Sequence, residues 1–316
     1  MRWEDRRRSD NVDDRRGQKS SPINAAVGGG VAMRLLPVLL KSKGGRMLLL
    51  LGVLAFFGAR MLGIDLMPLL TGEQVSTSSA PAQLSAEQQR LGEFVSVILA
   101  DTEDTWTEIF AKQGQRYPAP TLVLFSGYVQ SACGSASAAV GPFYCPADRK
   151  VYIDLSFYHD LKTRYKAPGD FAQAYVIAHE VGHHIQTITG ITAQVRKAQQ
   201  GMSKTQQNQL SVRQELQADC FAGVWGHHAD RHRQMLDPGE MQQALTAAAA
   251  IGDDRLQKQA TGTVTPDSFT HGTSEQRMRW FKRGFDSGDM MKFRTMADRD
   301  PDSIDQIAER VVTDGQ

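Results

Sequence analysis

Cysteine is scarce: the 316 residues hold three. Three thiols cannot supply a four-cysteine metal site. A surplus of charge of one sign is also missing. Lys+Arg 36 against Asp+Glu 35 leaves a net charge of +1, which gives no field for binding nucleic acid over the whole surface. With Gly 28 and Pro 12, the chain is neither collagen-like nor wholly disordered. Long apolar runs are absent but for one. What remains is ordinary: hydrophobic residues make up 41% and charged residues 22%, enough for one sizeable domain with appendages or two small domains.

The first stretch alternates Arg2, Arg6, Arg7, Arg8, Arg15 and Arg16 with Asp5, Asp10, Asp13 and Asp14, and Gly28-Gly29-Gly30 follows. Few apolar groups offset the entropy of ordering, so residues 1–46 are expected to form a disordered, mixed-charge tail. The exceptional apolar run is Met47–Ala59, MLLLLGVLAFFGA, continued past Arg60 by MLGI. A helix over 47–64 is roughly 27 Å long, near the hydrocarbon core of about 30 Å. Arg34, Lys41, Lys43 and Arg46 precede it, and after Arg60 the next basic residue is Arg90. The expectation is one transmembrane helix at 47–67, with the N-terminus in the cytoplasm and the rest beyond the inner membrane, in the periplasm. A cleaved leader ending near Ala80-Pro81-Ala82 and a buried core helix are the alternatives. Residues 68–84 read as a Ser/Thr/Ala/Pro linker, leaving 85–316 as the main domain.

Within that domain, Ser85 starts a helix reaching about Lys112, and Pro118-Ala119-Pro120 stops it. Thr121–Phe125 and Val151–Leu155 read as strands, and Gly141–Cys145 could pair with the second as a hairpin around Pro146–Arg149. Helices dominate afterwards. Strands first and helices later imply an α+β fold. Cys133 and Cys145 flank a loop of small residues; outside the cytoplasm they can form a disulfide, and a metal pair is the rival reading. Cys220, among apolar helix residues, reads as a buried free thiol.

The chemistry is concentrated in His179-Glu180-Val-Gly-His183-His184. Four residues apart on a helix, His179 and His183 share a face and can hold one zinc ion. Glu180 projects to the side, within reach of a water at the metal. With 8 His in the chain, this H-E-x-x-H spacing arises by chance only about 0.007 times. Gly182 leaves room for a neighbouring backbone. A third ligand is needed, and Glu215 is the candidate. Asp219, one turn later, could hold the second nitrogen of His179 and fix its tautomer. His184 lies off the ligand face. His159, His227, His228 and His232 sit beside acidic or polar residues and read as surface groups.

These two motifs, with Arg2-Trp-Glu-Asp-Arg6, Gly141-Pro-Phe-Tyr-Cys-Pro146, Tyr152-Ile-Asp154, Gly252-Asp-Asp254 and Thr270–Arg277, resemble the bacterial neutral zinc metallopeptidases, membrane-anchored relatives of the gluzincins. The resemblance implies a zincin-like fold and one zinc per chain on His179, His183 and Glu215. Members of the family often carry a cysteine near positions 290–295; none is present here, so Cys220 has no obvious partner. Such a protein would hydrolyse peptide bonds in peptide or protein substrates, with Glu180 as general base. His271 and Arg277 are candidate donors to the developing oxyanion, the alternative being that they cap or bridge helices. A zinc-stabilised binding or scaffold protein of the cell envelope, without turnover, is the reading from another class. Thr121–Phe125 is expected to form a sheet edge above the zinc helix, where an extended peptide could pair.

Overall fold

Helix α1 (Ala86–Ala111) begins where Ser85 closes a capping box: its hydroxyl accepts from the Gln88 backbone N–H, and the Gln88 side chain accepts from the Ser85 N–H. Phe94, Val95, Ile98, Leu99 and Trp106 recur at helical spacing and are buried. The computed structural model describes residues 1–17 and 84–290. The expected membrane helix at 47–67 and most of the linker lie outside the described residues. Among the described residues no helix is long and apolar enough to cross a membrane.

The strands are β1 (Val12–Asp14), β2 (Thr121–Phe125), β3 (Tyr128–Ser131), β4 (Gly134–Ser137), β5 (Phe143–Cys145) and β6 (Lys150–Asp154). Four form a sheet in the order β1-β2-β6-β5; β3 and β4 form a separate hairpin. β2 pairs in parallel with both β1 and β6, whereas β5 runs antiparallel to β6. The expectation that Thr121–Phe125 is an edge is therefore corrected. Its Leu122, Val123, Leu124 and Phe125 are buried on both faces, the pattern of an inner strand. The edge beside the zinc-motif helix is β5. A disulfide joins Cys145, at its end, to Cys133 in the turn between β3 and β4.

Seven helices follow: α2 (Ser156–Thr163), α3 (Asp170–Ile188), α4 (Ile191–Ala198), α5 (Lys204–Arg231), α6 (Glu240–Ala250), α7 (Asp253–Thr261) and α8 (Ser274–Ser287). Helices and small sheets together make an α+β arrangement that fits a zincin-like domain. α3 is buried along most of its length between the sheet, α5 and α6. α3 and α5 approach at Gly182, where an added Cβ would sit 2.9 Å from the Ala218 carbonyl oxygen. α5 and α8 meet backbone to backbone, because Gly223 and Gly284 leave no room for a side chain. Cys220 lies on that seam as a buried free thiol, and burial pushes its pKa up to about 12.

The reading of 1–46 as a free tail is corrected over its first part. Residues 1–16 belong to the same unit as the chain from Leu84 onward. β1 extends the sheet, and Trp3 is buried against Phe94 with ring centroids 5.3 Å apart. The Trp3 indole N–H donates to Asp170, the first residue of α3, at 3.1 Å. Several arginines, though exposed, form ion pairs with the domain. Arg2 pairs with Asp237, Arg7 with Glu103 and Asp104, and Arg8 with Glu93. The composition was that of a solvated segment, but several of its charges find acidic partners on the domain, while Arg15 and Arg16 pair with Asp13 and Asp14 within the segment. β1 is hydrogen-bonded into the sheet, so residues 1–16 are part of the domain.

Candidate metal centre

α3 and α5 cross so that the two sequence motifs face each other. His179 and His183 project one turn apart from α3, and Glu215 reaches them from α5. The ligand atoms of these three residues lie within 4.8 Å of one another. The Glu215 carboxylate lies 3.1 Å from His179 Nε2 and 3.4 Å from His183 Nε2. Donors bound to one zinc at about 2.1 Å in tetrahedral geometry stand roughly 3.4 Å apart, so the three fit one ion.

The ring orientations support the same fit. His179 Nδ1 meets Asp219 at 2.8 Å, and His183 Nδ1 meets the Gln186 side-chain oxygen at 2.9 Å. Both acceptors favour a proton on Nδ1, which leaves each Nε2 lone pair for a metal. Gln186 is itself held, donating to the Gln214 carbonyl at 2.6 Å and to Gln217 at 3.0 Å. Sequence reasoning did not single it out, although a glutamine three residues past a ligand on a buried helix was the available signal.

Arg277 makes the bridging contacts that were its alternative reading, and it also lines the pocket beside the cluster. It is 2% exposed, and its guanidinium grips Asp219 through Nε at 2.8 Å and Nη2 at 3.0 Å. Remaining donors go to the Tyr175 hydroxyl and the Ile251 carbonyl. Arg277 thus bridges α8 to α5 and positions Asp219, which positions His179. Burial works against ionisation of Asp219, but Arg277 and His179 outweigh it and bring its pKa to about 2. Burial likewise opposes a charge on His179, and Asp219 overrides it, carrying the ring up to about 10. Glu215 falls well below the usual carboxylate range, since His183 and His179 outweigh its burial. The pocket is arranged to stabilise positive charge between Glu215 and Asp219.

Glu180 is buried beside this cluster, and burial raises its pKa above the usual value against the pull of the two imidazoles. It lines a cleft of about 490 Å³ together with the metal cluster, Phe143 and Tyr144 of β5, and His271. His271 stands at this cleft, half-exposed. Asp253 fixes it: one carboxylate oxygen accepts from the backbone N–H groups of Thr270, His271 and Gly272, and the other lies 3.2 Å from His271 Nδ1. Hydrogen bonding to Asp253 raises the His271 pKa.

His184 faces away from the metal cluster. Its Nε2 lies 2.6 Å from the Pro118 carbonyl oxygen, and its Nδ1 lies 3.1 Å from the Tyr144 hydroxyl. With the proton on Nε2, the ring accepts from Tyr144 and ties the edge strand to α3. Burial lowers its pKa to about 4. Two of the four histidines read as surface groups are also misplaced by that reading. His228 is buried, and His227 and His228 bond the carbonyls of Phe285 and Gly288 at the α5–α8 seam.

A family model described as "Putative neutral zinc metallopeptidase" matches residues 1–296. The chain is 51% identical to the uncharacterized protein YpfJ of Escherichia coli strain K12 over 295 residues, covering 93% of this chain and 98% of that protein. It is 38% identical over 246 residues to the uncharacterized proteins Mb2605 of Mycobacterium bovis and Rv2575 of Mycobacterium tuberculosis strain H37Rv, covering 73% of this chain and 82% of each. No solved structure matches the chain. The metal cluster, the cleft and a match spanning both motifs lead to one conclusion: the chain belongs to this neutral zinc metallopeptidase family.

Proposed function

We propose that the protein is a zinc-dependent peptidase that hydrolyses peptide bonds in extended peptide or protein segments. The observation that carries this reading is Glu180: a buried carboxylate beside a complete His179–His183–Glu215 donor set, open to the cleft. A structural zinc site has no use for such a group. Bound zinc would supply Lewis acidity toward a water and a substrate carbonyl. The chain's residues do the rest. Glu180 accepts the proton of the attacking water and returns it to the departing amine. Asp219, held by Arg277, and Gln186 keep the two imidazoles in register. His271, fixed by Asp253, donates toward the developing oxyanion. The free edge of β5 offers backbone groups to an extended substrate, and main-chain pairing tolerates varied side chains.

The test is Glu180→Gln. Zinc content should stay at the wild-type level while peptide cleavage falls by about 10²–10⁴-fold, the usual worth of a general base. Activity surviving in Glu180→Gln would remove the mechanism. Absence of cleavage in the wild type, with zinc bound, would favour the scaffold reading.

Attachment to the inner membrane through 47–67, with the domain on the periplasmic side, belongs to the same proposal. The apolar run and its basic flank support attachment, and the Cys133–Cys145 disulfide supports an oxidising compartment. The pairing of β1 with β2 bears on this: a chain crossing once at 47–67 would have to leave β1 unpaired.

A further inference from the structure

We propose a second metal site, separate from the His179 cluster, formed by Glu108, His228 and His232. Glu108 lies in the last turn of α1. His228 and His232 are four residues apart at the end of α5, where they share a face. One ligand atom from each of the three falls within 4.8 Å of the others. The two imidazoles are stacked, with centroids 4.7 Å apart and planes inclined by 28°.

His228 makes this more than a surface cluster. The residue is 4% exposed, and its Nδ1 is buried with no hydrogen-bond partner. Its Nε2 lies 2.9 Å from the Gly288 carbonyl oxygen, so the proton belongs on Nε2 and the lone pair on Nδ1. A buried acceptor without a donor is costly, and none of the described residues supplies one. A cation shared with His232 and Glu108 would satisfy it. Two imidazoles and one carboxylate form a donor set for a zinc-type divalent ion and a poor one for magnesium or calcium. Glu108 accepts from Lys112 at 2.7 Å. That exposed pair contributes little and yields readily to a metal. The ion would brace α1 against the end of α5, the helix that supplies Glu215 and Asp219. Thirteen residues separate Glu215 from His228, roughly 20 Å of helix, so the two sites are distinct.

The test uses the full chain stripped of metal, equilibrated with Zn²⁺ and analysed for bound metal. Because His228 is part of the core, the exposed partners are varied: His232→Ala and Glu108→Gln. The wild type should hold two zinc ions per chain and His232→Ala one, with Glu108→Gln weakened at the same step. Peptide cleavage by His232→Ala at one zinc per chain should equal that of the wild type. His179→Ala should lose the other ion and keep this one, so failure of the catalytic reading would be visible separately. Equal zinc content in wild type and His232→Ala would overturn the proposal. So would a second step that fills only above about 1 mM Zn²⁺.

Discussion

His184 shows how much a neighbour of a ligand can do without touching the metal. It must be neutral to accept from Tyr144, and burial holds its pKa at about 4. An unfolded histidine titrates near 6.5. Between those values the unfolded chain binds the proton and the folded chain does not, so this residue lowers stability as pH falls from about 6.5 to about 4. The full effect is on the order of 3 kcal/mol. Urea unfolding of the chelator-treated protein at pH 4.5 and pH 7 should show it as a difference between wild type and His184→Gln. An identical pH dependence in the two would contradict the assignment. The candidate metal cluster was legible because its spacings are local: His179 and His183 one turn apart on one helix, and Glu215 with Asp219, the partner of His179, on another. Arg277 and Gln186 were not legible in their roles. Their meaning comes from what α8 and α5 bring against them, and a buried arginine looks in sequence like any other.

Among the elements, β5 is the one on which the proposed substrate pairing depends. It is short, and it is the free edge facing the cleft. Two ties hold it: Tyr144 to His184, and Cys145 to Cys133. The disulfide closes a loop of sequence separation 12, worth about 3 kcal/mol in a chain-entropy account. Replacing both cysteines by serine should therefore lower stability by about that amount, raise KM for a peptide more than it lowers kcat, and leave zinc content unchanged. Parallel loss of zinc and activity would mean that the loop supports the whole fold rather than the cleft wall. The hairpin of β5 and β6 and the helix from Ser85 were readable from alternation and caps. The edge was not, because β2 and β5 both look like strands. Only the addition of β1, whose Val-Asp-Asp sequence carries no strand signal, moves β2 inside.

At the scale of the molecule, residues 1–16, the N-terminal strap, bear on the proposed membrane attachment. Asp10 and Lys282 are exposed positions on the strap and on α8. In cells, Asp10→Cys and Lys282→Cys should react from the same side with a membrane-impermeant maleimide. Cys220 is buried and the other two cysteines are bonded, so the background is low. Labelling of Lys282→Cys alone would mean that β1 is unpaired in the cell and that the chain crosses once. The strap also anchors the start of the zinc helix through Trp3 and Asp170. A consequence concerns proteolysis. A cut anywhere between residues 17 and 83, for example at Ala80-Pro81-Ala82, would not release the N-terminal peptide. Held by its ladder to β2, the buried Trp3 and its ion pairs, the fragment would remain as a small second subunit. The processed protein would then be a two-chain molecule, separable only in denaturant.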